Sequence, residues 1–299
     1  MAVVPRKNAL SMCGVGVGCV LLACRALAFD SEAGLDACSK RSEGTELRIV
    51  SYNILDETFC DNLPEKPWVR GENRSNSVGR VISTLAPDVV CVQEARTVWP
   101  SLFPTMLPDY RTLDFGDVFS RILYNPKSVM FVEGGIEYYP DSWANIRNLI
   151  WALMVHRESG RKFIVTNTHW DISDDIRVKK NAGQMAGWVK HLAVRYKVPV
   201  FSTGDFNADV KMPSFRKYLS ETGAADAGET AVRRLNAEYC SCVESFHSGV
   251  GPEKGLPIDH ILYDPASVTA LCYALVIDEV TRRASDHLPA VAEPESHLR

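Results

Sequence analysis

Residues 198–207 have the sequence Val-Pro-Val-Phe-Ser-Thr-Gly-Asp-Phe-Asn, an apolar run that ends in polar side chains. The run from Val198 to Ser202 predicts a strand that is buried on both faces. Gly204 permits a sharp turn at the end of this strand, which places Asp205 and Asn207 at a sheet edge and on one side of the chain. Since aspartate and asparagine are poor core residues, this strand end predicts a functional site, an Asx turn or both.

The same arrangement, in which an apolar run adjoins a polar side chain, recurs along the chain. The residues concerned are carboxylates, imidazoles and carboxamides, which are uncommon in a core. They are Asn53 after residues 47–52, Glu94 after residues 88–92, His169 after residues 162–168, Asp259 beside Ile258, and Ser285-Asp286-His287 before the last predicted strand. Oxygen ligands of this kind suit Mg²⁺, Mn²⁺ or Ca²⁺, and no Cys/His cluster has the spacing of a zinc site.

The apolar patterns predict a strand-rich domain with a few helices. Helical spacing is clearest in residues 175–196 and recurs in residues 75–85, and a third helix is expected at residues 213–221. Further strands are predicted at residues 119–124, 128–132, 149–156, 162–169, 258–263, 268–277 and 288–291. Because no linker-like break separates these elements, residues 47–292 are predicted to form one domain, in which two sheets pack face to face with helices outside.

Six short motifs together resemble those of a known superfamily. They are SYN at 51–53, VQE at 92–94, NTHWD at 167–171, GDFN at 204–207, IDHI at 258–261 and SDHLP at 285–289. Their identity, order and spacing resemble the endonuclease/exonuclease/phosphatase superfamily, the relatives of pancreatic deoxyribonuclease. The resemblance covers residues 47–292 and implies an α+β fold, a four-layer α-β-β-α sandwich with two packed mixed or antiparallel sheets. It places the site at one end, where the strand ends of both sheets converge.

The resemblance also implies a metal site. Glu94 matches the main ligand, Asn53 lies beside it, and Asp286 is expected as an outer or second-site ligand. Mg²⁺ is the expected ion, with Mn²⁺ or Ca²⁺ as alternatives. Some members carry an acidic residue two positions after the first asparagine, where this chain has Leu55, and this difference favours one tight metal site over two.

Five residues are expected to act on the substrate. In the superfamily, either the GDFN aspartate or the final histidine accepts a proton from the attacking water, so Asp205 and His287 remain alternatives for the general base. Asp259 matches the carboxylate that pairs with that histidine and would favour its imidazolium form. Asn207 and His169 are expected to donate hydrogen bonds to the non-bridging phosphate oxygens, where charge develops in the transition state.

Each of these residues also has an ordinary structural interpretation. Asn53 could form a turn, Glu94 could cap a helix, His169 could be a buried structural histidine, and Asp286 could be a helix N-cap. A catalytically inactive binding module on the same scaffold would be expected to lack Glu94, Asp205 or His287, and all three are present. A single hydrolytic centre explains all of the residues together, and the sequence therefore predicts a metal-dependent phosphoesterase.

The amino-terminal residues have the pattern of a secretory signal peptide. Arg6 and Lys7 precede an apolar stretch without acidic residues, and residues 26–28 form an Ala-Leu-Ala cleavage site. We therefore expect a signal peptide at residues 1–28, a polar arm at residues 29–46 and a carboxyl-terminal tail at residues 293–299. The alternative is an uncleaved signal anchor that keeps the protein on a membrane. After cleavage, neither stable membrane insertion nor a protein partner is predicted.

Charge and composition limit the substrate without identifying it. Loss of residues 1–28 removes three basic residues and no acidic one, which changes the net charge from −4 to −7. An acidic chain argues against nucleic-acid binding through a broad basic face. Trp68, Trp143 and Trp170 could stack on bases or, equally, be packing residues. The predicted function is a secreted hydrolase of phosphomonoesters or phosphodiesters, whose substrate is a small molecule or a lipid head group. The alternative is a secreted endonuclease that acts on DNA or RNA.

Two further features follow from the secretory interpretation. Six cysteines remain after removal of residues 1–28, which permits disulfides, but their spacing assigns no pairing. Cys91 and Cys272 lie in apolar runs and are expected to be buried thiols. Residues 73–75, Asn-Arg-Ser, form an N-glycosylation acceptor that is expected in a polar loop.

Overall fold

In the part of the chain that the structure describes, two β-sheets, one of seven strands and one of six, form the body of the protein. The computed structural model describes residues 34–43, 45–56, 71–96, 98–116, 119–140, 147–171, 175–242 and 253–297. The predicted signal peptide lies outside these residues, as do Cys60, Trp68 and Trp143. No helix in the described part of the chain is long and apolar enough to span a bilayer.

The seven-stranded sheet, here called sheet A, contains the first two strands of the chain. Strand β1 (Ile49–Asn53) pairs in parallel with β2 (Val89–Gln93) and antiparallel with β13 (Ala290–Ser296). The other strands are β3 (Arg111–Leu113), β4 (Arg121–Tyr124), β10 (Arg233–Leu235) and β12 (Val268–Leu275). The strand order is β10-β12-β13-β1-β2-β4-β3, so sheet A is mixed.

The six-stranded sheet, here called sheet B, carries the GDFN strand. Its strands are β5 (Val129–Tyr138), β6 (Asn148–His156), β7 (Lys162–His169), β8 (Val200–Asp205), β9 (Ala225–Asp226) and β11 (Asp259–Tyr263). Their order is β5-β6-β7-β8-β11-β9. Strands β7 and β8 are parallel and the other neighbours are antiparallel, so sheet B is mixed as well.

Helices cover the outer faces of both sheets. Those that share an apolar cluster with sheet A are α1 (Leu35–Ser39), α2 (Gly71–Leu85), α3 (Trp99–Met106) and α7 (Glu279–Ala284). Those that pack on sheet B are α4 (Asp175–Tyr196) and α5 (Pro213–Thr222). The short helix α6 (Ala227–Thr230) contacts β11 and β12.

Three apolar clusters of described residues fill the spaces between these layers. The central cluster joins the facing sides of the two sheets, and includes Ile49 and Cys91 from sheet A with Val165 and Phe201 from sheet B. The other two clusters lie between each sheet and its helices. Alternate residues of a strand face opposite sides, so Ile49 contributes to the central cluster and its neighbour Val50 to an outer one. The predicted α+β four-layer α-β-β-α sandwich is thereby confirmed.

The ends of the chain differ from the prediction. The arm predicted at residues 29–46 contains helix α1, whose Leu35 and Cys38 are buried against sheet A. At the other end, β13 continues to Ser296, and the buried Glu293 forms an ion pair with Arg48. Because Glu293 is charged, residues 293–296 looked like a polar tail in the sequence, although the ion pair with Arg48 makes Glu293 part of the fold.

The glycosylation motif also differs from its predicted setting, because residues 73–75 lie in helix α2 rather than in a loop. Its central residue, Arg74, is buried and donates hydrogen bonds to the carbonyls of Ile54, Leu55 and Ala284. Cys91 and Cys272 are buried, as expected from their apolar surroundings.

Candidate active site

The residues predicted for the site lie where strands of both sheets end. Asn53 ends β1, Glu94 follows β2, and Asp286 and His287 precede β13 on the sheet A side. From sheet B, His169 and Asp205 end the parallel strands β7 and β8, Asn207 follows β8, and Asp259 begins β11. Direct pairing brings the sheet B group together, because Asp205 is in register with His169 on one side and with Asp259 on the other.

Asn53 connects the two halves of the site. Its amide nitrogen lies 3.1 Å from Glu94 Oε1 and 3.1 Å from Asp205 Oδ2. Its Oδ1 accepts a hydrogen bond from the backbone N–H of Leu55 at 3.0 Å, and this contact fixes which end of the amide faces the carboxylates. Asn53 therefore acts in the structure as a donor to two acids, with one lone pair of Oδ1 left for a cation.

Asp205 is the most contacted acid in the cluster. Its Oδ1 accepts from the backbone N–H of Asn207 at 2.9 Å, and its Oδ2 lies 3.4 Å from His169 Nε2 and 3.8 Å from His287 Nε2. Burial, and after it the charge of Asp259, raise the pKa of Asp205 to about 7, against the opposing effect of His287. Asp205 can therefore exchange a proton near neutral pH.

His287 and Asp259 form a tight pair across the two sheets. Nδ1 of His287 lies 2.7 Å from Oδ2 of Asp259, and both residues are buried. Burial on its own would lower the pKa of His287, but the charge of Asp259 and its hydrogen bond outweigh burial and hold that pKa well above its usual value. The imidazole is consequently protonated at neutral pH, and its Nε2–H faces Asp205.

His169 has the opposite electrostatic setting. Burial, followed by the positive charges of Arg147 and His287, holds the pKa of His169 well below its usual value, so this ring is neutral.

Asn207 has the left-handed backbone angle φ of 46° and donates from its amide nitrogen to the carbonyl of Trp170 at 2.9 Å. Glu94 has a φ of 58°, and such angles in residues other than glycine are typical of functional sites.

A cation fits the surroundings of Glu94. Burial, and next the negative charge of the half-buried Asp286, raise the pKa of the Glu94 carboxyl. No Lys or Arg in the described ranges forms an ion pair with Glu94 or Asp286. Two carboxylates together with Asn53 Oδ1 supply the oxygen donors that a hard divalent ion prefers, so the residues present fit such an ion.

A second group with metal-ligand character is less suitable for an ion. Ligand atoms of Asp205, Asp259 and His287 all lie within 4.8 Å of one another. However, the facing atoms of Asp259 and His287 are only 2.7 Å apart, which is the distance of a shared proton rather than of two ligands around a metal. The Glu94 and Asp286 carboxylates therefore provide the better cation position.

Two serines that were not predicted as site residues, Ser241 and Ser285, hold the backbone around the His287–Asp259 pair. Ser241 Oγ accepts the backbone N–H groups of Ile258 and Asp259, and the Ser241 carbonyl accepts that of Leu288. Ser285 Oγ donates to the Asn53 carbonyl at 2.7 Å. Ser285 stands within a quoted motif, whereas Ser241 lies between two cysteines in a segment without strand or helix periodicity, so its sequence carried no signal.

Trp170 does not offer a base-stacking surface. Its side chain is fully buried and packs edge-on against Phe206 and Tyr218. Of the two interpretations of this residue, base stacking and packing, the structure supports packing.

The chain matches the model of a known family. The model of the Endonuclease/Exonuclease/phosphatase family matches residues 50–287, and the chain belongs to this family. Its members are divalent-metal-dependent hydrolases of phosphate esters. No curated protein sequence matches the chain.

Solved structures of low sequence identity share the fold. A mannosyl-6-phosphatase from Bacteroides thetaiotaomicron is 22% identical with a TM-score of 0.71, and the match covers 83% of this chain and 99% of that one. The human Nocturnin catalytic domain with bound sulfate is 15% identical with a TM-score of 0.62, covering 84% and 94% of the two chains. TDP2 from D. rerio, complexed with a single-strand DNA product, is 19% identical with a TM-score of 0.60, covering 83% and 98%.

Proposed function

We propose that this protein hydrolyses phosphate esters by metal-assisted attack of water on phosphorus. The observation that carries the proposal is the set of contacts around Asp205, whose carboxylate lies within 4 Å of Asn53, His169 and His287. A buried acid with a pKa of about 7 stands beside a protonated imidazole and beside two acids, Glu94 and Asp286, that form no ion pair with a Lys or Arg among the described residues. This combination supplies a base, an acid and a cation site within one cluster.

Glu94 and Asp286 would hold the divalent ion, with Asn53 Oδ1 as an additional donor. When bound, the ion neutralises phosphate charge and lowers the pKa of a coordinated water. Mg²⁺ is the proposed ion because the donors are oxygens, and Mn²⁺ or Ca²⁺ are the alternatives. Asn53 keeps the Glu94 and Asp205 carboxylates in a fixed relation, since its amide nitrogen donates to both of them.

The electrostatics favour Asp205 over His287 as the general base. His287 already carries a proton at neutral pH because of Asp259, so it is suited to donate a hydrogen bond to a phosphate oxygen or a proton to the leaving group. Asp205 loses its proton near pH 7 and can accept one from water. Neutral His169 and the amide of Asn207 are proposed to bind the non-bridging oxygens.

The proposed substrate class is a phosphate ester of a small molecule or lipid head group. The acidic chain and the similarity to a mannosyl-6-phosphatase support this choice over a nucleic acid. The similarity to TDP2 with a DNA product keeps a nuclease as the alternative outcome. A catalytically inactive binding module is disfavoured, because all eight predicted site residues are present and the contacts among Asn53, Asp205, Asp259 and His287 support a working centre.

A panel assay tests the proposal. The chain lacking residues 1–28 would be incubated with Mg²⁺, Mn²⁺ or Ca²⁺ and with sugar phosphates, inositol phosphates, sphingomyelin, plasmid DNA, RNA and a chromogenic diester. Metal-dependent release of phosphate or alcohol from one ester class, absent from an Asp205→Asn preparation, would support it. Activity that survives a chelator, or none on any ester, would refute it.

Secretion is part of the same proposal and rests on residues 1–28 of the sequence. Cleavage after Ala28 would leave a mature chain that begins at Phe29. Expression in a secreting host, followed by amino-terminal sequencing of the protein in the medium, measures this directly. Protein that begins at Met1, or that stays with the membrane fraction, would identify an uncleaved anchor instead.

A further inference from the structure

The site residues divide between the two sheets according to their proposed roles. Asn53, Glu94 and Asp286, which surround the proposed cation position, lie at or beside the ends of sheet A strands. The sheet B strands and their connections supply four of the five residues proposed to act on the substrate and water, namely His169, Asp205, Asn207 and Asp259. The chemistry therefore depends on how one sheet is positioned against the other.

A buried polar bridge joins the sheets directly beneath the site. Nε2 of Gln93, the residue before Glu94, lies 2.7 Å from Oδ1 of Asn167, two residues before His169. Nδ2 of Asn167 in turn donates to the carbonyls of Val92 at 2.9 Å and of Arg121 at 3.0 Å, both on sheet A. Gln93 and Asn167 are fully buried, and together they make three hydrogen bonds between the sheets.

This bridge is a polar contact in a mainly apolar layer, and it is not optimised for stability. The facing sides of the two sheets share an apolar cluster, which is insensitive to small shifts of one sheet along the other. At the site itself, the Asn53–Asp205 and His287–Asp259 contacts also join the sheets. Hydrogen bonds are directional and fix position as well as distance. Oε1 of Gln93 is buried and has no hydrogen-bond partner among the described residues, which is a cost that an apolar pair would avoid.

We propose that Gln93 and Asn167 are positioning residues, which set the register between the sheet A cation site and the sheet B acid Asp205. This inference rests on the proposed function, since it assigns a role within the same site. Gln93 and Asn167 contact neither substrate nor ion in this role. They act through the backbone, because Glu94 and His169 follow them on their respective strands.

Loss of the bridge should lower kcat without changing the affinity for Mn²⁺, whereas a purely structural role would change both together. The cation position is built from sheet A residues alone, so loss of the bridge should leave Mn²⁺ affinity as it is. The alignment of Asp205 with that cation needs both sheets, so kcat should fall. A displacement of about 1 Å between reacting groups can reduce the rate about a hundredfold.

The test is the double variant Gln93→Met/Asn167→Leu, in which each side chain is replaced by an apolar one of similar size. Removal of both partners leaves no unpaired amide and keeps the core filled. Expected are a wild-type Mn²⁺ affinity by electron paramagnetic resonance titration, a folded protein in thermal unfolding, and a kcat on the best ester of the panel reduced about a hundredfold. If the double variant does not fold, Gln93→Met alone is judged by the same measurements. Between the sheets it breaks only the 2.7 Å contact to Asn167, and its other lost contacts, to Ser51 Oγ and the Cys91 carbonyl, lie within sheet A.

A matched control removes another buried hydrogen bond that lies outside the sheet interface. Tyr218 donates to Ser202 Oγ at 2.8 Å and joins helix α5 to the outer face of sheet B. The variant Tyr218→Phe/Ser202→Ala should keep kcat whatever it does to the melting temperature. A bridge variant that is folded and fully active overturns the proposal, and so does a joint loss of kcat, Mn²⁺ affinity and melting temperature. A wild-type chain that binds no Mn²⁺ and hydrolyses no ester refutes the proposed function and this role together.

Discussion

The imidazole of His287 and the carboxylate of Asp259 meet at 2.7 Å, although they reach the site from opposite sheets. Both side chains are buried, and Ser241 fixes the backbone on either side of the contact. The pair therefore has two consequences: it holds His287 in its protonated form, and it joins the two sheets at the level of the proposed chemistry.

Replacement of Asp259 by asparagine should lower the pKa of His287. The carboxylate charge is the main factor that raises this pKa, and burial, which then remains, favours the neutral ring. The sign follows directly, since a buried imidazole without its negative partner loses its proton at a lower pH. NMR titration of the metal-free protein measures the shift, with Asp109→Asn, which removes an exposed carboxylate elsewhere, as the control. An unchanged His287 titration in Asp259→Asn would argue against the pair.

Glu94→Gln should weaken metal binding and activity together. The substitution retains an oxygen that can accept the backbone N–H of Asp56, now 2.8 Å from Glu94 Oε2, so local structure should persist. It removes the charge that balances a divalent ion, and a loss of affinity of more than about tenfold is expected. Calorimetric titration with Mn²⁺ measures the affinity, and Glu133→Gln, at an exposed position, is the control. Equal Mn²⁺ affinity in Glu94→Gln and wild type would exclude Glu94 as a ligand.

The long periodic elements could be predicted from the sequence, and the structure confirms the limits of two of them. Helix α4 over residues 175–196 and strand β7 over residues 162–169 have the predicted bounds. Each carries a repeated apolar pattern that only one type of element satisfies. Helix α3 (Trp99–Met106) was missed, because Pro104 inside it and Pro100 at its start hide the helical pattern.

Candidate site residues could also be named from the sequence, and the family resemblance implied the Asp259–His287 contact, but the other contacts could not be predicted. A polar residue at a strand end can be recognised in one dimension, whereas the partners depend on strand order and register. Asn53 is an example. The orientation of its amide is set by the backbone N–H of Leu55 and by the carboxylates of Asp205 and Glu94, which are distant in sequence. A sequence suggests an oxygen ligand at this position, and the structure shows an amide that donates to both carboxylates.

Gly204→Ala should destabilise the protein far more than an ordinary glycine substitution. Gly204 has a φ of 151°, and a Cβ at this position would collide with the carbonyl oxygen of Thr168 on the neighbouring parallel strand. Backbone strain together with displacement of a strand should lower the free energy of unfolding by about 3 kcal/mol or more. Urea unfolding measures the change.

Gly160→Ala provides the matched control for this substitution. Gly160 also has a positive φ, of 71°, but nothing lies within 4 Å of an added Cβ. The conformational cost alone is about 1–2 kcal/mol. If both variants lost the same free energy, the close approach of β7 and β8 at Gly204 would be of no consequence.

Asp205→Asn should abolish turnover while the protein stays folded. Asparagine keeps the shape of aspartate and can still accept the backbone N–H of Asn207, now 2.9 Å from Asp205 Oδ1. It has no basicity near pH 7, and loss of general-base action typically costs about a hundred- to ten-thousand-fold in rate. For stability, two effects oppose each other. Removal of a buried charge beside Asp259 is favourable, and the poorer contact with the amide of Asn53 is unfavourable, so we expect a change within about 1 kcal/mol.

A neighbouring aspartate in the same loop separates catalysis from turn formation. Asp209 accepts the backbone N–H of Lys211 at 2.6 Å and forms an Asx turn four residues beyond Asp205. Asparagine is as good a turn former as aspartate, so Asp209→Asn should leave both kcat and the melting temperature unchanged. If Asp205→Asn also leaves kcat and the melting temperature unchanged, Asp205 has no part in the reaction. The general base must then be His287, in the fraction of molecules in which its imidazolium has lost a proton. If Asp205→Asn unfolds while Asp209→Asn does not, the contacts of Asp205 to Asn53 and Asn207 are structural. The ester panel would then be measured on His287 variants to test the catalytic assignment.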